Sequence, residues 1–365
     1  MTSHTVSRQS STASTGSMVG MRKLSFGYSE ERPYLDCAIP DCPRDGIRVR
    51  VCYAGLCYVP SISNSPLRKG CAGYRNGNFF EGFEISGVIE CIGESVLTHD
   101  LSVGDPVAVF PDAEITEQGY ADFVVVRKLN NIVKLPSSIS LAVGAMLPTG
   151  GTLAMSTVIH CQKYLEEVVN AKGHCNIVIF GAGSLTHWLI RLLRYSHSRI
   201  ADRIHIIVAS DDWEGLKIAQ KLGAEEVLFL GEDCHEQVLV ERMKGYVRGG
   251  IQMSICLAHD ERLQKRSAGC LMDGGVLVIP EFSLTAESDL VENKQLRIVE
   301  VPKGTAEDLR TLVRIISQGQ SLQANQPAYK IYPVESSQRI FEEMQMSDIN
   351  ERPVLEFETA DSVFT

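Results

Sequence analysis

Two glycines, Gly181 and Gly183, follow a short apolar run, Ile177–Phe180, with the spacing G-x-G. From Leu185 onward, apolar residues recur at the i, i+3, i+4, i+7 spacing of a helix with one buried face. A strand, a glycine turn and a helix in this order direct backbone N–H groups and a helix N-terminus at a phosphate. The sequence therefore predicts a site for a pyrophosphate-bearing cofactor, held by Gly181, Gly183, Ser184 and Leu185.

Thr186 stands where the third glycine of a G-x-G-x-x-G motif would be. Glycine at that point permits close packing of the helix on the strand, so a threonine weakens the match without excluding it. The next residue, His187, could contact a phosphate, although a packed or surface position is favoured. A fold that is retained while cofactor binding has been weakened or lost therefore stays an alternative.

The elements around this turn alternate between strands and helices from about residue 147 to residue 319. Such alternation predicts a parallel sheet with helices on both faces. Six strands are predicted, the number in a complete dinucleotide-binding fold: Ile177–Phe180, Ile204–Ala209, Glu226–Leu230, Met253–Leu257, Val276–Ile279 and Arg297–Val301. The helices predicted between them are Trp213–Leu222, Glu236–Lys244, Glu261–Cys270 and Ala306–Ser317.

Before residue 135 the pattern is one of short β-like runs separated by turns, which predicts a β-rich, partly barrel-like domain. After Gln326 the chain becomes β-like again, and this piece is expected to return to the first domain. The whole is predicted to be an α/β chain with a disordered tail over residues 1–21. A β-rich domain over 22–148 is completed by 325–365, and a dinucleotide-binding domain covers 149–324. The strands predicted here are Ile47–Cys52, Glu84–Gly93, Pro106–Phe110, Ala121–Val126, Tyr329–Val334 and Val354–Phe357, with a helix at Ser336–Met346.

Composition narrows the classes of partner. The formal net charge of −10 argues against nucleic acid or an anionic membrane surface, because both require clustered lysine and arginine. No apolar run reaches the roughly 20 residues that a membrane helix needs.

The 11 cysteines include no C-x-x-C pair in the first third of the chain, so metal-knuckle spacing is absent there. Reduced, mostly buried thiols in a cytoplasmic protein are expected.

Six short motifs occur in a characteristic order along the chain. They are Tyr53–Cys57, Gly82–Glu90, Ser102–Val107, Gly119–Val125, Asn131–Pro136 and Gly181–Gly183. In type and order they resemble motifs of the medium-chain dehydrogenase/reductase superfamily, over nearly all of residues 22–357. The resemblance implies a GroES-like β-rich domain, a Rossmann domain, an active-site cleft between them and a homodimer.

Zinc-dependent members of that superfamily hold a catalytic Zn²⁺ at three positions, which here match Cys57, Phe83 and Pro148. A phenyl ring and a pyrrolidine ring have no lone pair to donate to a metal, so these positions cannot assemble tetrahedral coordination. Zinc is therefore not expected. Cys57 and Glu84 are interpreted as remnants, the first for packing and the second for local hydrogen bonding.

The segment around Thr149 resembles that of zinc-free relatives, the quinone-oxidoreductase and enoyl-reductase branches. By that resemblance Thr149 lies near the nicotinamide, and the substrate is a small carbonyl or α,β-unsaturated carbonyl compound. Catalysis would then need a hydrogen-bond donor for the developing enolate oxygen. Tyr58 is the first candidate for this donor and Tyr53 the second, although a tyrosine in this chain is more often a packing residue.

Selectivity between NAD and NADP is set in this superfamily at the end of the second Rossmann strand, a position that matches Ser210. Asp211 and Asp212 follow it, and their carboxylates would repel a 2′-phosphate. NAD(H) is therefore favoured over NADP(H). The same residues also suit the N-cap of a helix that starts at Trp213, and both roles can coexist.

Three functions remain open at this point. The first is a zinc-independent oxidoreductase that transfers hydride between a nicotinamide cofactor and a small carbonyl-containing substrate. The second is a catalytically silent relative that acts as a binding or scaffold dimer. The third is a zinc-dependent alcohol or polyol dehydrogenase with rearranged ligands.

Overall fold

The structure of the chain is a computed structural model. It describes residues 20–24, 34–56, 84–97, 100–112, 115, 120–231, 236–258, 260–281, 289–319, 328–345 and 351–357. Within these ranges the strands form three sheets, of two, seven and six strands. The two-stranded sheet is an antiparallel pair of β1 (Gly20–Leu24) and β2 (Tyr34–Ala38). Since β1 begins at Gly20, it lies partly inside the range predicted as a tail.

The seven-stranded sheet contains the predicted β-rich region and also the C-terminal residues. Its spatial order is β14-β15-β3-β4-β5-β7, with β6 paired to β3. β15, near the C-terminal end of the described residues, pairs antiparallel with β3 of this sheet. Its strands are β3 (Ile47–Gly55), β4 (Ile85–Ile92), β5 (Pro106–Val109), β6 (Phe123–Val126), β7 (Ile132–Lys134), β14 (Tyr329–Pro333) and β15 (Arg352–Glu356).

The six-stranded sheet is parallel throughout, in the order β10-β9-β8-β11-β12-β13. Counted within this sheet the order is 3-2-1-4-5-6, the doubly wound arrangement in which the chain reverses direction beside its first strand. The predicted parallel sheet is thus confirmed. Its strands are β8 (Cys175–Phe180), β9 (Ile204–Ser210), β10 (Glu226–Phe229), β11 (Ile251–Ile255), β12 (Leu271–Pro280) and β13 (Arg297–Val301).

Helices pack against the seven-stranded and the six-stranded sheets. Those of the described residues are α1 (Leu141–Ala145), α2 (Thr152–Lys172), α3 (Ser184–Ser196), α4 (Trp213–Lys221), α5 (Glu236–Tyr246), α6 (Glu261–Cys270), α7 (Asp289–Asn293), α8 (Ala306–Gln318) and α9 (Ser337–Gln345). A π-turn over Leu147–Gly151 joins α1 to α2. Short 3₁₀ segments cover Leu129–Asn131, Ser198–Arg203 and Val334–Ser336, and the second of these is kinked at Ile200. None of the helices traced in these ranges is long and apolar enough to cross a membrane.

Several features differ from the predictions. The longest helix, α2, was not predicted, and β11 begins two residues before its predicted start at Met253. Cys42 and Cys91 form a disulfide, so the expectation of reduced cysteines is wrong for this pair. The expectation holds for the other described cysteines, which are free, and all but Cys37 of these are buried.

Arg194 fixes the connection between α3 and β9. Its guanidinium donates to the carbonyls of Ala201 at 3.0 Å, Ile204 at 2.9 Å and Gly223 at 2.7 Å. It also pairs with the carboxylate of Glu225. One half-buried side chain thereby ties the end of α3, the 3₁₀ turn after it and the turn after α4 together.

Candidate functional site

The turn after β8 has the backbone geometry of a phosphate-binding turn. Gly181 has φ of +98°, in the left-handed region that favours glycine, and its N–H donates to the carbonyl of Ala209 at 2.8 Å. The hydroxyl of Thr186 donates to the carbonyl of Gly181 at 2.8 Å. The residue in place of the third glycine therefore turns inward and closes the turn, and it does not obstruct the outer side.

Gly183 is the N-cap of α3 and is exposed. A Cβ built on this residue would meet no atom of the described residues within 4 Å, so none of these residues fills the space over the turn. The first N–H groups of a helix have no partner within the helix, and no side chain caps this end of α3 in the described structure. Ser184 and Leu185 begin the helix and are half-buried. The predicted residues of the turn thus form a donor-lined space suited to an anion.

The residues that follow in α3 are buried. His187 donates from Nε2 to the carbonyl of Gly215 at 3.2 Å, and burial lowers its pKa below 6.5. The guanidinium of Arg191 lies over the ring of Trp188 at 4.7 Å, and burial lowers its pKa to about 10. His187 is therefore a packed residue that joins α3 to α4, as favoured from the sequence, and it does not face the space over the turn.

The end of β9 lies beside the turn, since β8 and β9 are paired. Ser210 is buried, and its hydroxyl accepts from the N–H of Asp212 at 3.1 Å. Asp212 is the N-cap of α4 and accepts from the N–H of Gly215 at 2.9 Å. The capping interpretation is confirmed for Asp212, whereas Asp211 is exposed and is the carboxylate left beside Ser210.

The positions that match zinc ligands in relatives are only partly described. Cys57 and Phe83 lie outside the described residues, as does Tyr58, the first candidate for the enolate donor. Pro148 is buried in the π-turn between α1 and α2. No group of three or more histidine, cysteine, aspartate or glutamate side chains among the described residues is placed to hold a metal ion.

Glu84, the residue just before β4, is a buried acidic residue of the seven-stranded sheet. Its side chain is fully buried, at 0% exposure. One carboxylate oxygen accepts from the hydroxyl of Thr149, and the other pairs with Nη2 of Arg352 at 2.5 Å. The structure thus brings two predicted residues together with Arg352, which no local signal in the sequence marks.

Tyr53, the second candidate for the enolate donor, already donates its hydroxyl proton to another side chain. Its hydroxyl donates to the carboxylate of Glu356 at 2.7 Å, across the β3–β15 pair. That hydrogen bond, with burial and the charge of Glu356, raises the pKa of Tyr53 to about 12. A tyrosine whose proton is held by a carboxylate is a poor donor to a developing oxyanion, so this geometry disfavours the second candidate.

The π-turn connects the two ends of the site. It packs against α3, the helix that follows the glycine turn, and against β5 of the seven-stranded sheet. Thr149 and Gly150 are half-buried on this turn, and no atom of the described residues lies within 4 Å of a Cβ added at Gly150. Thr149 therefore lies on a segment that contacts both α3 and β5.

Comparison with known proteins shows likeness in structure rather than in sequence. No protein-family model matches the chain, and no curated protein matches it. An alcohol dehydrogenase from Thermotoga maritima superposes with a TM-score of 0.71 at 16% identity, over 93% of this chain and 100% of that chain. A protein from Escherichia coli, described as a short chain alcohol dehydrogenase and solved with NADH, gives 0.69 at 18% identity over 93% and 99%. A quinone oxidoreductase from Coxiella burnetii gives 0.68 at 16% identity over 93% and 100%.

Proposed function

Because the chain has the fold of the medium-chain dehydrogenases and reductases, a GroES-like β-rich domain with a Rossmann domain, we propose that it is a nicotinamide-dependent oxidoreductase. The observation that carries the proposal is the glycine turn between β8 and α3. Gly181 is left-handed, Gly183 is exposed beneath open space, and the N-terminus of a 13-residue helix faces that space. A fold alone does not assign an activity, but this turn supplies the chemistry that a diphosphate needs.

The residues present fit a dinucleotide. The backbone N–H groups around Gly183, Ser184 and Leu185 would hold the pyrophosphate, and Thr149 borders the space where the reactive ring would lie. The cofactor, when bound, supplies the hydride, and the protein supplies its orientation and the exclusion of water. The threonine at position 186 is compatible with this role because its hydroxyl points back to the carbonyl of Gly181.

The preference for NAD(H) over NADP(H) belongs to the same proposal. Asp211 is exposed beside Ser210, where it would repel a 2′-phosphate, whereas the neighbouring hydroxyl could serve a ribose. Lys217, the cation one turn into α4, is paired with Glu214 at 2.6 Å. Its charge is thus already partly compensated, which further disfavours a second phosphate at this edge.

The proposed reaction is zinc-independent reduction of a small carbonyl or α,β-unsaturated carbonyl compound by a cytoplasmic homodimer. The buried ring of Pro148 supports it, since a proline cannot act as a metal ligand through its side chain. Tyr58 remains the proposed donor to the enolate oxygen, and Thr149 a proposed contact of the nicotinamide.

The proposal is tested by titrating the full-length protein with NADH and with NADPH while following energy transfer from tryptophan to the reduced ring. We expect saturable binding, with NADH bound more tightly. Absence of binding by either cofactor at millimolar concentration would overturn the proposal and favour the silent scaffold. Stoichiometric zinc in the purified protein would instead favour a zinc-dependent dehydrogenase with rearranged ligands.

Gly183→Val locates the binding site. Any residue can adopt its backbone conformation (φ −76°, ψ −175°), and its Cβ would meet no atom of the described residues within 4 Å, so the variant should fold normally. Two methyl groups would then occupy the space over the turn. The dissociation constant of NADH should rise about 30-fold or more, since losing one or two charge-assisted hydrogen bonds costs about 2 kcal/mol or more. Gly245→Val, at an exposed and equally open position in α5, is the matched control.

A further inference from the structure

The methionine at the start of β12 lies in an irregular part of the six-stranded sheet. Ile251 of β11 pairs with Leu271 of β12. The next paired residues of the two strands are Met253 and Val276, so β12 bulges between these points. Met272 is the first residue of the bulge, and it is half-buried. Because all six strands are parallel, it lies at the amino end of the sheet, opposite the glycine turn that follows β8.

Two hydrogen-bond donors converge on the sulfur of Met272. Nζ of Lys172, the last residue of α2, lies 2.9 Å from Sδ. Nε2 of Gln252, on β11, lies 3.6 Å from the same atom. Gln252 is buried, and its Oε1 accepts from the N–H of Asn176 at 2.7 Å, which holds the amide in this orientation. Among the described residues no carboxylate pairs with Lys172, so its charge is directed at a thioether.

The two donors are stronger than the acceptor that they share. A thioether sulfur is a weak acceptor, whereas an ammonium group is a charged donor and an amide N–H is a good neutral one. A sulfoxide is polar, and its oxygen accepts hydrogen bonds far better than the sulfur does. Oxidation of a packed methionine ordinarily disrupts its surroundings, because it places a polar group among apolar ones. At Met272 the added oxygen would instead meet two donors.

We propose that Met272 is an oxidation site for hydrogen peroxide, and that Lys172 and Gln252 bind the sulfoxide oxygen. The sulfur attacks one peroxide oxygen, an S–O bond forms and the O–O bond breaks. The proton of the attacked oxygen passes to the other, which leaves as water, so the sulfide is oxidised and the peroxide is reduced. Lys172 is exposed, so its ammonium can move aside for the new oxygen and then donate to it. The modification strengthens the contact between α2 and the sheet, and it is independent of the proposed function.

The test is urea unfolding of the full-length protein before and after treatment with hydrogen peroxide. Mass spectrometry of the peptide that contains Met272 measures its conversion to the sulfoxide. Met272→Leu, treated in the same way, gives the effect of every other residue that peroxide changes, such as the half-buried Met21 and Met344. Relative to that variant, oxidation should lower the unfolding equilibrium constant of the wild type about tenfold, since a hydrogen bond from a charged donor is worth about that factor.

Lys172→Leu provides the arm specific to the ammonium. Leucine is a good helix former that cannot donate, so the tenfold fall, measured against the same variant carrying Met272→Leu, should be lost. Lys163→Leu, which removes an exposed lysine from the same helix, is the matched control and should keep the fall. The inference is overturned if the wild type shows no fall or if the fall persists in Lys172→Leu. It is also overturned if Met272 stays unoxidised at a peroxide dose that converts Met21 and Met344.

Discussion

The two ends of the candidate site are built by different means. At the glycine turn, backbone groups within a few residues of one another provide the donors, and Thr186 closes the turn on Gly181. At the other end, a buried carboxylate, Glu84, depends on Arg352, 268 residues away along the chain. The first end is local and mostly backbone, and the second is non-local and charged. Substitutions should therefore cost little folding stability at the first end and much at the second.

Arg352→Met tests the charged end most severely. The variant leaves the fully buried carboxylate of Glu84 without its cation, and breaking a buried pair in this way costs about 3–5 kcal/mol. The free energy of unfolding, measured by urea denaturation, should fall by that amount. Arg339→Met is the control, since Arg339 and Glu343 form an exposed i,i+4 pair of the kind worth about 0.5 kcal/mol or less. Equal losses of unfolding free energy in the two variants would show that the buried pair contributes no more to stability than the exposed one.

Gly181→Ala and Gly183→Ala compare two glycines within the local end. Gly181 has φ of +98°, a conformation that costs an alanine about 1–2 kcal/mol, whereas Gly183 has φ of −76°. Alanine at position 181 should therefore lower the free energy of unfolding by about 1–2 kcal/mol, and alanine at 183 should leave it nearly unchanged. Equal losses of stability in the two variants would show that Gly181 does not need a positive φ in the folded protein.

Thr186→Val isolates the hydrogen bond that closes the turn. Valine keeps the volume and branching of threonine but leaves the carbonyl of Gly181 without the hydroxyl that it accepts from at 2.8 Å. We expect the free energy of unfolding of Thr186→Val to fall by about 1 kcal/mol. Thr186→Ser, which keeps the hydroxyl, should have nearly the stability of the wild type. A stability equal to that of the wild type in Thr186→Val would mean that the hydroxyl does not support the turn.

The smallest expected effect is the pH dependence due to His187. Burial lowers the pKa of His187 below 6.5, so its neutral form is favoured in the folded protein. This contribution to stability is complete above pH 6.5 and is lost as the pH falls toward the lower pKa of the folded state. His187→Gln should therefore make the free energy of unfolding less dependent on pH between 7 and 5. Burial also lowers the pKa of His197, so the variant should keep the part of the pH dependence that is due to His197. A slope of unfolding free energy against pH equal to that of the wild type would contradict the prediction.

The comparison also explains what the sequence could predict. Elements with a clear local period were located well: β13 and α6 have the predicted bounds, and the glycine turn lies where its motif placed it. Helix α2 was missed because it is buried on several sides, with Thr152, Ser156 and Thr157 among its buried residues, so no simple apolar stripe is visible. Arg352 was missed because pairing with Glu84 is a property of the folded sheet, in which β15 lies beside β3, and not of neighbouring residues.

Arg194 affects how insertions and deletions between α3 and β9 would change the structure. The connection that it clamps, Ser198–Arg203, leads into the amino end of β9, opposite the edge at which Gly181 and Ser210 lie. Arg194 donates to the carbonyl of Ala201 in this connection and to that of Ile204 at the start of β9, and β9 lies in register with β8. We therefore expect insertions and deletions in Ser198–Arg203 to leave the positions of Gly181 and Ser210 unchanged. This requires that a side chain at position 194 still donates to the carbonyls at the start of β9.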